Sequence, residues 1–161
     1  MSRFRLFLFI ALAALPAFSC ESEVREAIVN QEKYIDDYIN SKYADSEVYR
    51  DGSVSRIVLS AGAPGAPAIE KGDSVYFYFA GFCFSQGGPS SQFVLDSAMF
   101  RVGSGDLIRG LDMGLIGARL GEEALILFTS QYGYGTDAVG LVPENTALLF
   151  DVAVAAIKKK Q

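Results

Sequence analysis

The chain of 161 residues contains no histidine, no tryptophan and only two cysteines. Serine and cysteine hydrolases of the usual kind need an imidazole base, and zinc peptidases of the HExxH type need two histidines, so the composition excludes both classes. The sequence also lacks a P-loop, a paired CxxC motif and an EF-hand loop. We therefore predict a protein without a resident cofactor or metal ion.

Basic residues are scarce as well. The chain has 14 lysines and arginines against 19 aspartates and glutamates, which gives a formal net charge of −5. Because nucleic-acid-binding domains present a basic face, this balance argues against a nucleic-acid partner. The lysines at 158–160 are predicted to form a solvated tail. The length fits one domain with an appendage, and an apolar content of 50% can support one sizeable core.

The longest apolar run lies at the N-terminus, where residues 6–18 follow Arg3 and Arg5. The run is shorter than the ~20 residues of a membrane-spanning helix, and its basic start is typical of a secretory signal. It ends at Cys20, which resembles the cysteine of a bacterial lipoprotein signal that is lipidated and becomes the new N-terminus. We predict a signal peptide over residues 1–19, a lipid anchor on Cys20, and a location on a membrane of the bacterial cell envelope. Cleavage nearby by an ordinary signal peptidase is the alternative.

Residues 21–45 have the pattern of an amphipathic helix, with acidic residues filling the polar face. The apolar face carries four residues near helical spacing: Val24, Ile28, Ile35 and Ile39. We interpret residues 20–46 as a helical segment that packs on its own domain, so that the protein is a monomer. A dimerisation helix is the alternative.

The remaining sequence indicates strands around one short helix. Asp51-Gly52 is the two-residue signal of a type I′ turn, so residues 47–62 are predicted to form a β-hairpin. Residues 106–121 give the helix signal. Further strands are predicted at 73–84, 92–103, 122–130 and 146–157. This order indicates an α+β domain, a mostly antiparallel sheet with one helix against its face.

Five segments occur in the order found in one known family: KGDSVYFYFAG, LDSA, VGSGDLIRGLDMGLIGARLGEE, YGYG and GLVPENTALLFDV. They resemble the FK506-binding-protein (FKBP) type of peptidyl-prolyl cis–trans isomerases, over roughly residues 52–158. The resemblance implies an FKBP-like domain at 47–161, with a twisted antiparallel sheet wrapped on one short helix. That fold agrees with the strand and helix pattern.

The resemblance also implies a site. Tyr134 matches the tyrosine whose hydroxyl donates to a ligand carbonyl, Ile108 matches the residue whose backbone N–H does the same, and Asp96 matches an acid near the imide. The family surrounds these three groups with an apolar bowl. Its substrate-binding wall positions match Phe79, Leu95, Leu107, Leu111, Val142 and Phe150.

Three wall positions depart from the family's pattern. Leu111 stands where a tryptophan usually forms the floor, Phe79 replaces a tyrosine, and Leu95 replaces a phenylalanine. A further wall phenylalanine has no counterpart in the sequence. With fewer aromatic walls we expect weak binding of proline and weak catalysis.

The predicted function is that of a prolyl isomerase acting on proline-containing polypeptides during the folding of envelope or exported proteins. Rotation about an X-Pro bond makes and breaks no covalent bond, so the absence of histidine, metal and nucleophile is no obstacle. The alternative is a non-catalytic FKBP-like chaperone or peptide-binding lipoprotein.

Overall fold

The structure, a computed structural model, describes residues 16–161, with side chains from residue 21 onward. Most of the predicted signal peptide at 1–19 therefore lies outside the described residues, and the side chain of Cys20 is outside them as well. Within the described part, no helix is both long and apolar enough to cross a membrane.

Two α-helices, one short 3-10 helix (Ser130–Tyr132) and six strands form the ordered elements of residues 16–161. The helices are α1 (Pro16–Lys42) and α2 (Arg109–Leu115). The strands are β1 (Val48–Asp51), β2 (Val54–Ser60), β3 (Ser74–Ser85), β4 (Gly88–Arg101), β5 (Glu123–Phe128) and β6 (Ala147–Lys158). They form one sheet in the order β1-β2-β5-β6-β3-β4, in which every neighbouring pair is antiparallel. The predicted α+β fold class is confirmed.

The sheet lies between the two helices. Side chains alternate along β5, because successive residues of a strand point to opposite faces. Ile126 and Phe128 pack in the core on the α2 side, and Leu125 and Leu127 pack in a second core on the other side. The second core is completed by α1, so the fold has three layers.

Helix α1 packs on its own domain through its second half. Ile35 and Ile39 are each only 3% exposed and belong to the second core, whereas Val24 and Ile28 nearer the N-terminus are half-buried. The helix ends at Lys42, three residues before the predicted end. The predicted packing of the helix on its own domain is therefore observed for that half.

Helix α2 is much shorter than the predicted 106–121. Ile108 has extended backbone angles (φ −59°, ψ 142°), and the chain leaves the helix at Ile116 (ψ 130°) before Gly117 at φ +84°. A Cβ on Gly110 would lie 2.3 Å from the Phe128 ring, and one on Gly114 would lie 2.3 Å from Ile126. These two glycines let α2 approach the sheet closely.

The lysines at 158–160, predicted to form a solvated tail, are exposed, but two of them make contacts with residues 70–73. Lys159 Nζ lies 2.7 Å from Asp73 Oδ2, and the backbone N–H of Lys160 donates to Asp73 Oδ1 at 2.9 Å. Lys160 Nζ also lies 3.6 Å from a Glu70 carboxylate oxygen. The lysines are therefore solvated as predicted, but the end of the chain is not free, because Glu70 and Asp73 supply carboxylates next to the end of β6.

Candidate active site

A cavity of about 380 Å³ opens on the α2 side of the sheet. Strands β3, β4 and β6, the segment leading into α2 and the loop between β5 and β6 surround it. Of the residues predicted to form the site, six line this cavity: Phe79, Leu107, Ile108, Leu111, Tyr134 and Phe150. The lining is mostly apolar, so a bound group would lose much of its contact with water.

Aromatic rings build the wall beneath the cavity. Phe150 on β6 stacks on Phe128 with ring centroids 5.9 Å apart and planes at 11°. Phe93 meets Phe150 edge-on at 5.7 Å, and Phe79 lies 6.4 Å from the same ring. Such offset and edge-to-face pairs are favourable geometries for aromatic rings. Phe150 is thus the centre of the wall, and its neighbours come from three other strands.

Gly81 makes room for this wall. A Cβ at that position would lie 2.7 Å from Val94, 2.8 Å from Phe93 and 2.9 Å from Phe150. Only glycine permits the three side chains to meet over β3. A β-bulge places two of them together, because Gly81 pairs with Val94 while Phe82 pairs with Gln92, which leaves Phe93 as the extra residue.

Two hydrogen-bond donors at the cavity have no acceptor among the described residues. One is the backbone N–H of Ile108, which precedes the first turn of α2. The other is the hydroxyl of Tyr134. Burial raises the pKa of Tyr134, so the phenol keeps its proton at neutral pH and can donate. The cavity therefore offers two free donors to an acceptor such as a carbonyl.

Backbone hydrogen bonds fix the loop that carries Tyr134. The N–H groups of Gly133 and Gly135 donate to the Ser130 carbonyl at 2.9 and 2.8 Å. The Gly135 carbonyl accepts from the Asn145 N–H at 2.8 Å. The chain is thus held on both sides of Tyr134.

Three residues predicted for the site do not line the cavity. Leu95 is 73% exposed on the opposite face of the sheet, because it pairs with Ala80 and both point away from Phe79. Asp96 is exposed, and its carboxylate accepts from the Ser97 N–H at 2.7 Å. Val142 is only 2% exposed within the core, so it backs the loop instead of forming the wall.

Other residues take their places. Phe93 and Phe100 both line the cavity, so β4 supplies aromatic wall residues that the motifs did not indicate. The bulge at Phe93 shifts the alternation, and nothing in the sequence marks it. Phe100 lies four residues after Asp96 on β4, so strand alternation places it on the face that Asp96 shares with Phe79, and Phe100 could have been found that way.

The cavity also has an acidic residue that the sequence did not indicate. Asp106, two residues before Ile108, belongs to the lining, and Ser104 Oγ donates to its carboxylate at 2.6 Å. Among residues 21–161, no three or more side chains of Cys, Asp or Glu are grouped so that they could hold a metal ion.

Comparisons with known proteins agree with this geometry. Residues 65–155 match the family described as FKBP-type peptidyl-prolyl cis-trans isomerase. FK506-binding protein 1 of Aspergillus oryzae is 31% identical over 117 residues, which cover 65% of this chain and 97% of that protein. A peptidyl-prolyl cis-trans isomerase of Schizosaccharomyces pombe is 48% identical over 61 residues, which cover 37% of this chain and 54% of that protein.

Solved structures share the fold. FkpA from Escherichia coli has a TM-score of 0.63 at 21% identity, covering 89% of this chain and 67% of that one. The three FKBP domains of wheat FKBP73 give a TM-score of 0.62 at 22% identity, covering 72% of this chain and 50% of that one. The predicted enzyme class is confirmed by the family match: the chain belongs to the FKBP-type peptidyl-prolyl cis–trans isomerases.

Proposed function

We propose that the cavity binds the proline of an unfolded or partly folded polypeptide and speeds rotation about the preceding imide bond. The observation that supports this most is the pair of free donors, the Tyr134 hydroxyl and the Ile108 N–H, at an apolar cavity. Each would donate to a carbonyl of the bound chain. Phe79, Phe93, Phe150 and Leu111 would hold the proline ring.

The chemistry requires only differential binding. The C–N bond of an X-Pro imide has partial double-bond character, and uncatalysed rotation takes tens to hundreds of seconds. The planar imide is the more charge-separated form and is favoured by water. A cavity that removes water and holds the carbonyls by fixed donors binds the twisted form relatively better, which lowers the barrier.

Exchange NMR on a proline tetrapeptide tests the proposal. Tyr134→Phe should lower the exchange rate modestly, because one neutral hydrogen bond contributes about 0.5–1.5 kcal/mol. Tyr78→Phe is the matched control, since Tyr78 is 55% exposed on the other face of the sheet. Asp96→Asn tests whether the exposed carboxylate takes part at all.

The outcomes separate catalysis from simple binding. Peptide-induced shifts at Ile108 and Tyr134 without any exchange above background would show the alternative, a non-catalytic peptide-binding module. The two wall phenylalanines on β4 favour the enzyme, because the bowl is less depleted of aromatic rings than the sequence suggests.

We further propose that the protein is a monomer anchored to the bacterial envelope by lipid on Cys20, where it assists exported proteins in folding. The sequence of residues 1–20 supports this, and the burial of Ile35 and Ile39 against their own sheet supports the monomer. Two or more acyl chains give stable membrane binding where one does not. From Cys20 to the buried Gln31 the helix would extend about 16 Å at 1.5 Å per residue.

Intact mass of the protein extracted from bacterial membranes tests the anchor. The expected species is residues 20–161 plus acyl chains, and Cys20→Ser should abolish it. An unmodified, soluble chain from the unchanged sequence would refute the anchor while leaving the isomerase proposal intact. Sedimentation of the extracted protein in detergent then tests the monomer, and a species of twice the protein mass would refute it.

A further inference from the structure

Gln31 is a buried polar side chain on α1, far from the cavity in sequence, and both ends of its amide are used. It is 3% exposed. Its Oε1 accepts from the Ser130 N–H at 2.7 Å, and its Nε2 donates to the Asn145 carbonyl at 2.8 Å. Because the two partners differ, one a donor and one an acceptor, the amide satisfies both at any pH, whereas an ionised carboxylate could only accept.

These two partners are the residues that hold the Tyr134 loop. Ser130 accepts from the N–H groups of Gly133 and Gly135, and Asn145 donates to the Gly135 carbonyl. Asn145 itself adopts φ +50°, a left-handed conformation that the loop must sustain. The amide of Gln31 therefore completes a ring of hydrogen bonds around the base of the loop. Its two partners, Ser130 and Asn145, are themselves hydrogen-bonded to the glycines on either side of Tyr134.

We propose that Gln31 is a positioning residue for Tyr134, and that helix α1 thereby determines how well the cavity catalyses rotation of a bound X-Pro bond. The inference rests on the proposed role of the Tyr134 hydroxyl. Loss of the amide leaves the buried Ser130 N–H and the part-buried Asn145 carbonyl without this partner, and the loop must shift to hydrate them. Since free energies of binding are reciprocal, a peptide that prefers the ordered loop also holds α1 against the sheet.

A double-mutant cycle with the full chain tests this. Gln31→Leu should lower kcat/KM for a proline tetrapeptide by roughly two- to tenfold, the range of one neutral hydrogen bond. In a Tyr134→Phe background the same change should cost less than about twofold, because the hydroxyl that Gln31 positions is already gone. Equal losses in both backgrounds would overturn the proposal.

Ile39→Ala is the matched control, because Ile39 packs α1 on the sheet in the second core, to which no residue of the loop at 133–145 belongs. It should reduce stability to urea at least as much as Gln31→Leu, yet leave kcat/KM within about twofold. Hydrogen exchange of the Gly135 amide gives a readout independent of catalysis. It should accelerate in Gln31→Leu and stay protected in Ile39→Ala, and unchanged protection in Gln31→Leu would also overturn the proposal.

Gln31→Glu keeps the case testable if Gln31→Leu folds poorly. Its carboxylate can accept from Ser130 but cannot donate to Asn145, whereas the protonated acid can do both. The activity of Gln31→Glu relative to that of the unchanged protein should therefore rise as the pH falls. A ratio that does not change with pH would count against positioning.

If Tyr134→Phe alone has no effect while the unchanged protein is active, the proposed role of Tyr134 fails, and this inference fails with it. If the unchanged protein shows no exchange, the proposed function itself has failed.

Discussion

Arg56 Nε on β2 lies 3.2 Å from Glu122 Oε1, and the two side chains are only 4% and 6% exposed. The contact is an ion pair without the alignment of a hydrogen bond. The guanidinium also donates through Nη1 to the carbonyls of Gly114 (3.1 Å) and Ile116 (2.6 Å) at the end of α2. The buried guanidinium of Arg56 thus holds the C-terminal end of α2, and Ile108 at the N-terminal end of the same helix lies at the cavity.

Arg56→Met should destabilise the protein by about 3–5 kcal/mol, because it leaves the Glu122 carboxylate buried without its counter-ion. Adding Glu122→Leu should recover much of that loss, since removing both charges removes the desolvation cost as well. Urea denaturation of the single and double variants measures this. A double variant that loses the sum of the two single changes would show that the pair is not coupled.

Gly114→Ala should destabilise the protein even though alanine favours helices by about 1 kcal/mol over glycine. The new Cβ would lie 2.3 Å from Ile126, and overpacking of this kind costs about 1–3 kcal/mol. Gly87→Ala is the control, because its nearest neighbour would be 3.9 Å away. Thermal melts of both variants decide the matter, and a stabilised Gly114→Ala would contradict the close approach of α2.

Asp73 predicts a pH dependence of stability. Burial by itself would raise its pKa, but the hydrogen bond from Lys159 and those from the N–H groups of Glu70 and Lys160 outweigh this and lower the pKa to about 2. A lowered folded-state pKa means that the carboxylate stabilises the fold above the unfolded pKa of about 3.9 and stops doing so as pH falls through about 2.

Urea midpoints measured between pH 6 and pH 2 check this on the protein and on Asp73→Asn. The unchanged protein should be the more stable at pH 6, and the difference should shrink between about pH 4 and pH 2, where Asp73 is protonated in the unfolded chain but still ionised in the folded protein. A difference that stays constant down to pH 2 would mean that Asp73 stabilises by packing alone.

The fold could be predicted because its signals are local and strong. Strand alternation and the apolar stripe ending in Ile35 and Ile39 each act over a few residues, and each is consistent with the sheet observed. The predicted hairpin also forms, but its two loop residues are Gly52 and Ser53 instead of Asp51 and Gly52, because Asp51 pairs with Val54. Only Gly52 of these residues has a positive φ (+57°), so the turn is not the predicted type I′. The length of α2 was overestimated, because the apolar pattern of 106–121 continues through extended segments that contact the sheet.

The site could be predicted only in part, because its wall depends on register. Tyr134, Ile108 and Leu111 were placed by motif, and the structure brings them together. The motif comparison places Leu95 in the wall, but Leu95 pairs with Ala80 and so faces away from Phe79. Phe93 faces the cavity because of the one-residue bulge, which no sequence signal marks. The hydrogen bond between Gln31 and Ser130 joins residues 99 positions apart, and no local sequence pattern predicts a contact over that separation.

The floor of the cavity gives the last prediction. Leu111 is 2% exposed at the start of α2, and the chain has no tryptophan of its own. Leu111→Trp should extend the floor into the cavity of about 380 Å³, at a cost in stability of about 1–3 kcal/mol from overpacking. The added ring should tighten proline-peptide binding by about 1–2 kcal/mol, roughly five- to thirtyfold, by analogy with large-to-small losses in packed sites. The single indole also reports directly, because its fluorescence should change on titration with the peptide. Leu111→Ala, which removes floor area, should instead weaken binding. The proposed binding mode is wrong if the indole emission does not change on addition of the peptide and neither Leu111→Trp nor Leu111→Ala alters the affinity for the peptide. Proline would then not contact Leu111.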